Sequence, residues 1–191
     1  MVGADAGLSG TLTLVSGPSS GGKSRWAEHL AASSGRQVVY LATGPTLPDD
    51  PDWQHRLTLH RNRRPSSWQC REVGRHLAEA LGELGSDQLG LVDSLGTWVT
   101  AGLDWDRDTW EEACGGLLVA IRDCEAPVVL VCEEVGWGVV PATKIGGLFR
   151  DRQGHLQQRL MALCTAAWLV LQGRAVDLLA LSQPVPELPE T

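Results

Sequence analysis

Eight residues, Gly17-Pro18-Ser19-Ser20-Gly21-Gly22-Lys23-Ser24, fit the pattern G-x-x-x-x-G-K-S at every defined position. They follow an apolar run at 12–15 and lead into a stretch where Trp26 and Leu30, four residues apart, share one helix face and anchor it to the core. A strand, a glycine-rich turn and a helix in that order limit the fold more than any other feature of the chain. The glycines let the backbone curl so that successive N–H groups point inward, and the positive end of the following helix adds to their field. Such a loop is suited to phosphate oxygens. Lys23 then faces the β and γ phosphates of a nucleotide, and Ser24 offers its hydroxyl oxygen to Mg²⁺. The alternative, an ordinary Gly/Ser-rich turn, would not need the strand and helix that flank the motif.

Further short apolar runs at 38–42, 89–92, 128–132 and 168–171 alternate with longer segments. Continuous apolar strands separated by crossover-length connections predict a parallel sheet covered on both faces, hence a three-layer α/β fold. In the segment 71–84, Val73, Leu77, Leu81 and Leu84 fall at helical spacing and predict a packed crossover helix. Asp108 and Glu111 have capping-box spacing and predict a helix from 108 to about 124. The segment 44–52, rich in Pro and Asp, is expected to be irregular, as is the Pro-rich tail 182–191. At 191 residues the chain suits one domain, with its core at 8–181.

A net charge of −7 argues against a sequence-independent nucleic-acid binder, which needs a basic face. No run is long and apolar enough to span a membrane and no signal-peptide pattern is present, so the expected compartment is the cytoplasm. Five cysteines with no C-x-x-C pair read as reduced thiols, and no structural metal is expected. Eight tryptophans stand against one Phe and one Tyr, an imbalance that suggests core or interface positions.

Asp93 closes the run at 89–92, and Glu133 and Glu134 follow the run at 128–132. All three are expected at the carboxyl edge of the sheet, where open α/β folds bind ligands; each taken alone reads equally as a ligand or as a solvated turn residue. Between Trp53 and Trp68 the chain concentrates His55, Arg56, His60, Arg61, Arg63 and Arg64, with Asn62 inside the run. Guanidinium groups bind phosphate in bidentate fashion and a neutral imidazole can attack phosphorus, which singles out His60. By composition alone the same stretch is a solvated helix face.

Together these segments resemble the bifunctional adenosylcobinamide kinase and adenosylcobinamide-phosphate guanylyltransferase family, which has the P-loop NTPase fold. The residues that carry the resemblance are the loop Gly17 to Ser24, Tyr40-Leu41-Ala42-Thr43, His60-Arg61-x-x-Arg64-Pro65-x-x-Trp68 and Leu91-Val92-Asp93-Ser94-Leu95. The C-terminal signature follows: Glu134-Val135-Gly136-Trp137-Gly138-Val139-Val140-Pro141, Phe149-Arg150-Asp151 and Gly154-x-x-x-Gln158. The resemblance implies phosphorylation of adenosylcobinamide, then GMP transfer from GTP to adenosylcobinamide phosphate through a GMP-histidine at His60. It further implies that Arg61 to Arg64, Glu72, Asp93, Thr43, Gly44 and Pro45 contact the nucleotide, with Asp93 on either guanosine or metal. Mg²⁺, GTP and ATP, and a homotrimer are implied in the same way. The chain departs from the family pattern at Ser20, where an Arg is usual, at Glu133 and Gln157, where Asn is usual, and at Lys144. Two other readings remain open: a P-loop kinase for a different small hydroxyl substrate, and a nucleotide-binding regulatory module without turnover.

Overall fold

The computed structural model describes residues 11–186, apart from Thr46 and Pro48 and the side chains of Trp53, Arg56 and His60. Each apolar run of the sequence forms a strand. In chain order the elements are β1 (Leu12–Gly17), α1 (Lys23–Ser33), β2 (Gln37–Ala42), α2 (Pro51–Arg63), β3 (Gln69–Glu72), α3 (Leu77–Gly82) and β4 (Gln88–Asp93). They continue with α4 (Leu95–Ala101), α5 (Arg107–Asp123), β5 (Val128–Glu133), α6 (Lys144–Met161), β6 (Cys164–Leu171), β7 (Arg174–Asp177) and α7 (Leu178–Leu181). The sheet has the order β3-β2-β4-β5-β1-β6-β7. All pairs are parallel except β6 with β7, so the architecture is the mostly parallel three-layer α/β fold the sequence predicts.

The two-residue alternation of each strand divides its apolar side chains between two cores. Leu12, Leu14, Val39, Leu41, Val92, Leu130 and Cys132 face the layer that contains Leu77 and Leu81 of α3, Leu95 and Val99 of α4, Leu117 and Ile121 of α5, and Leu156 of α6. Val15, Val38, Tyr40, Leu89, Leu91, Val129 and Val131 face Ala27 and Ala31 of α1. Trp26 and Leu30 pack against that second core, as their spacing indicates.

Two helix expectations are corrected. Residues 69–72 pair with Val39 to Ala42 as the edge strand β3, and α3 spans only Leu77–Gly82. Gly74, at φ +51°, turns the chain between them. The helical spacing of Val73, Leu77, Leu81 and Leu84 still marks side chains that reach the core, but a strand, a turn and a short helix bring them there. The cap of α5 is Asp106, whose carboxylate accepts from the Thr109 N–H, and Asp108 lies within the first turn. Residues 44–50 are irregular where described, whereas Pro51 and Asp52 begin α2; of the tail, 182–186 are irregular as expected, and 187–191 lie outside the described residues.

The tryptophan imbalance has a structural outlet below α4. Trp98, Trp105 and Trp110 form a cluster with ring centroids 5.6 to 6.4 Å apart. The buried Arg152 of α6 lies over the Trp110 ring at 4.6 Å and donates to the Gly102 carbonyl at 2.7 Å and the Trp105 carbonyl at 2.8 Å. Gly102 is the C-cap of α4, so the guanidinium both satisfies and electrostatically complements that helix end. Arg152→Met retains volume and removes both hydrogen bonds, leaving carbonyls unsatisfied. Its expected cost is about 2 to 3 kcal/mol, read as a lower denaturation midpoint.

Candidate nucleotide site

The phosphate loop is fixed before any ligand is considered. The Glu134 N–H donates to the Gly17 carbonyl at 2.8 Å, and the Gly173 N–H in the β6–β7 turn donates to the Gly21 carbonyl at 2.9 Å. A Cβ at Gly17, whose φ is +151°, would collide with the Val170 carbonyl oxygen, and one at Gly21 would lie 2.8 Å from the same atom. Glycine is therefore required at both positions by backbone proximity. Lys23 is buried at the start of α1, and its ammonium donates to the Pro18 carbonyl at 2.9 Å, across the arch of the loop.

A cleft of about 460 Å³ opens beside this loop at the carboxyl edge of β1, β2, β4 and β5. Its lining unites Ser19, Ser20, Gly22, Lys23 and Ser24 with Gly44 and Pro45, with Arg61, Arg63 and Arg64, and with Glu72 and Asp93. Gly17, Pro18 and Gly21 shape the loop from behind, and Asn62 is exposed on α2 outside the lining. Thr43 is buried beneath the cleft: its hydroxyl donates to the Ser94 carbonyl at 2.6 Å and meets the Thr97 hydroxyl, fastening β2 to the start of α4. His60 belongs to α2, and its side chain lies outside the described residues.

The electrostatics are local. Lys23, Arg25, Arg61, Arg63 and Arg64 line the cleft against Glu72, Asp93 and Glu133, giving a net positive site in a chain of net charge −7. Arg61 pairs with Glu72 at 3.4 Å and Arg63 with Glu28 at 3.2 Å, both across partly solvated gaps. An exposed pair such as Arg61–Glu72 contributes only about 0 to 1 kcal/mol, so exchange of that carboxylate for a phosphate costs little. Arg64 is held differently, with its guanidinium 3.7 Å above the Tyr40 ring, while the Tyr40 hydroxyl donates to Asp93 Oδ2 at 3.0 Å.

Glu133 and Glu134 diverge. Strand β5 lies between β1 and β4, and its register sets Glu133 opposite Gly17. The Glu133 carboxylate lines the cleft and accepts from the Gly96 N–H at 2.9 Å, while its carbonyl accepts from Gln153 and Gln157 of α6. Glu134 instead accepts from the Gly136 N–H and stays in its own turn. A Cβ at Gly96 would meet the Glu133 carboxylate and force it aside. Sequence reading passed over Arg25, Tyr40, Ser94 and Cys70, which also line the cleft. Arg25 follows the loop motif directly and was legible there, whereas Tyr40 reads as an ordinary strand residue and Cys70 as one of five reduced thiols.

Among the described residues no group of three His, Cys, Asp or Glu side chains forms a metal cage. The Ser24 hydroxyl with carboxylates at the cleft wall suits Mg²⁺, a cation that takes few protein ligands and completes its shell from phosphates and water. No helix among the described residues is long and apolar enough to cross a membrane.

A model of the cobinamide kinase / cobinamide phosphate guanyltransferase family matches residues 13–178. The chain is 35% identical over 182 residues to the bifunctional adenosylcobalamin biosynthesis protein CobU of Escherichia coli, covering 87% of this chain and 99% of that protein. It is 34% identical over 170 residues to the bifunctional adenosylcobalamin biosynthesis protein CobP of Pseudomonas aeruginosa, covering 86% and 95%. A solved structure from Pyrococcus horikoshii shares the fold with a TM-score of 0.50 at 10% identity, over 88% of this chain and 86% of that one.

The cleft makes a chemical prediction of its own. Cys70 is exposed in the lining, whereas Cys114, Cys124 and Cys132 are buried. Burial pushes the Cys114 thiol up to about 11 and that of Cys164 up to about 12, and raises Cys124 and Cys132 as well. At pH 8 a thiol reagent should label Cys70 first, GTP should slow that labelling, and Cys70→Ser should remove the fast phase. Equal rates with and without GTP would show that nucleotide binds elsewhere.

Proposed function

The chain belongs to the cobinamide kinase / cobinamide phosphate guanyltransferase family, and we propose that the cleft of about 460 Å³ beside the phosphate loop serves both of its reactions. The protein is an enzyme, a kinase and nucleotidyltransferase of cobalamin biosynthesis. It phosphorylates adenosylcobinamide and transfers GMP from GTP to adenosylcobinamide phosphate, giving adenosylcobinamide-GDP and pyrophosphate. The observation that carries the site assignment is the convergence of the loop, the arginines of α2 and the acid at the end of β4 on one cavity.

In the guanylyl transfer, the imidazole of His60 attacks the α phosphorus of GTP. The nitrogen–phosphorus bond forms, the bond to the bridging oxygen breaks, and pyrophosphate departs; the phosphate of the corrinoid then displaces histidine and takes GMP. Two easier displacements replace one hard one, provided the ring is neutral when it attacks. The support for His60 is its spacing on α2, three residues after Leu57 and one before Arg61, both of which line the cleft. Arg61, Arg63 and Arg64 bind the phosphates by charge-assisted hydrogen bonds, and the loop N–H groups with Lys23 hold the chain's other contacts to them. Glu72, freed from Arg61 by a phosphate, and Asp93 at the cleft wall supply acceptors for the nucleoside, with Gly44 and Pro45 along the rim. Mg²⁺, held by Ser24 and a carboxylate of the cleft wall, would offset phosphate charge during transfer. ATP and GTP are the donors in this reading.

We read the compartment as the cytoplasm and the assembly as a homotrimer. The feature that favours assembly is an apolar edge between β5 and α6, where Trp137, Val139, Val140 and Ile145 are each more than half exposed.

Incubation with GTP and Mg²⁺ should add a GMP-sized, acid-labile mass to the intact chain, and His60→Ala should abolish that gain while the unfolding midpoint is retained. An adduct that survives the substitution would remove His60 from the nucleophile role. Lys23→Ala should weaken GTP binding at least tenfold, since it removes a charge facing the β and γ phosphates; isothermal calorimetry reads this directly.

A further inference from the structure

Tyr40 is the chain's one tyrosine, and it stands at a strand position that packing alone would fill with an aliphatic residue. Its neighbours on the same face of the sheet, Val38 and Leu91, are aliphatic. The side chain is 3% exposed, so its hydroxyl needs a partner. That partner is Asp93. Register pairs Ala42 with Asp93 and Tyr40 with Leu91, so Tyr40 and Asp93 are diagonal neighbours on adjacent strands, and the phenol reaches Oδ2 at 3.0 Å. On the ring face the Arg64 guanidinium sits 3.7 Å from the centroid, a cation–π distance. Arg64 also donates toward the Cys70 sulfur at 3.5 Å, on the strand paired with β2. One buried side chain therefore touches both a cation and a carboxylate of the cleft wall.

We propose that Tyr40 is a positioning residue for nucleotide binding, whose hydroxyl orients Asp93 toward the N–H and O–H donors of the nucleoside while its ring seats Arg64 toward the phosphates. The inference rests on the reading that the nucleotide occupies this cleft. It also gives the α2 region a fixed point on the sheet, because Arg64 directly follows that helix. Burial and the Asp93 charge both push the Tyr40 phenol above its ordinary range, while Arg64 opposes them.

Tyr40→Phe keeps the ring and removes only the hydroxyl. Calorimetry on the full chain should show GTP binding weakened roughly tenfold, the loss of one hydrogen bond to a charged group. In an Asp93→Ala background the same change should cost less than about twofold, because the group it acts through is gone. In an Arg64→Ala background it should cost the full factor, since the hydroxyl acts through Asp93 and not through Arg64. A Tyr40→Phe chain that binds GTP like the parent, or that loses the same factor with and without Asp93, overturns the proposal. Lys23→Ala separates the two levels: a loss there with none in Tyr40→Phe confines the failure to Tyr40, and no loss in either removes the nucleotide from the cleft. A second measurement leaves the fold untouched. With one tyrosine, protein labelled with 3-fluorotyrosine gives one ¹⁹F resonance, which should shift on saturation with GTP; a resonance that stays fixed while GTP binds contradicts the assignment.

Discussion

The close approach of the phosphate loop to the Val170 carbonyl is the constraint on which the site depends. Gly17 and Gly21 both lie too near that oxygen to carry a side chain. The same loop is tied on one side to Glu134 after β5 and on the other to Gly173 in the β6–β7 turn. Its conformation is thereby set by two strands that flank β1 in space and follow it by more than a hundred residues in sequence. A loop fixed in this way has its N–H groups aimed before phosphate arrives, which reduces the ordering that binding would otherwise require.

Around that loop, charge is arranged with unequal rigidity. Arg61 holds the exposed carboxylate of Glu72 at 3.4 Å and Arg63 the partly buried one of Glu28 at 3.2 Å, and the exposed contact is weak enough to yield to phosphate. Arg64 is seated on a buried ring and Glu133 on the N–H of Gly96, so these two are parts of the wall. Glu133 is also one of the chain's departures from an expected Asn, and its carboxylate has an evident structural use. It closes the gap to α4, and Gly96 leaves the space for it. The carbonyl of the same residue receives Gln153 and Gln157, so α6 holds the end of β5 beside the loop.

Farther from the cleft, the tryptophans account for how α4 is supported. Trp98, Trp105 and Trp110 cluster beside Arg152, which lies over the Trp110 ring and terminates α4 through the Gly102 carbonyl. The start of α4 carries Ser94 and Thr97, to which Thr43 is bonded. Thr43, expected in the nucleotide pocket, therefore acts one layer below it, coupling β2 to the helix that receives Glu133.

By itself the sequence determined the elements whose identity depends on local pattern. The G-x-x-x-x-G-K-S run between an apolar strand and a helix specified the phosphate loop, and continuous apolar runs specified β1, β2, β4, β5 and the end of β6, because strands covered on both faces need no polar alternation. The family motifs brought His60, the arginines and Asp93 together as candidates. Tertiary structure alone decided the rest. Strand β3 has the sequence Gln69-Cys70-Arg71-Glu72, with nothing apolar to announce it, and exists because β2 offers it an unpaired edge. The order of strands set β5 between β1 and β4, and so sent Glu133 into the cleft while Glu134 turned away. Tyr40 reads in one dimension as another core residue of a strand; its links to Asp93 and Arg64, 53 and 24 positions away, arise only when the sheet and α2 close over it, since contacts between distant segments are fixed by packing and leave no local periodicity in the chain.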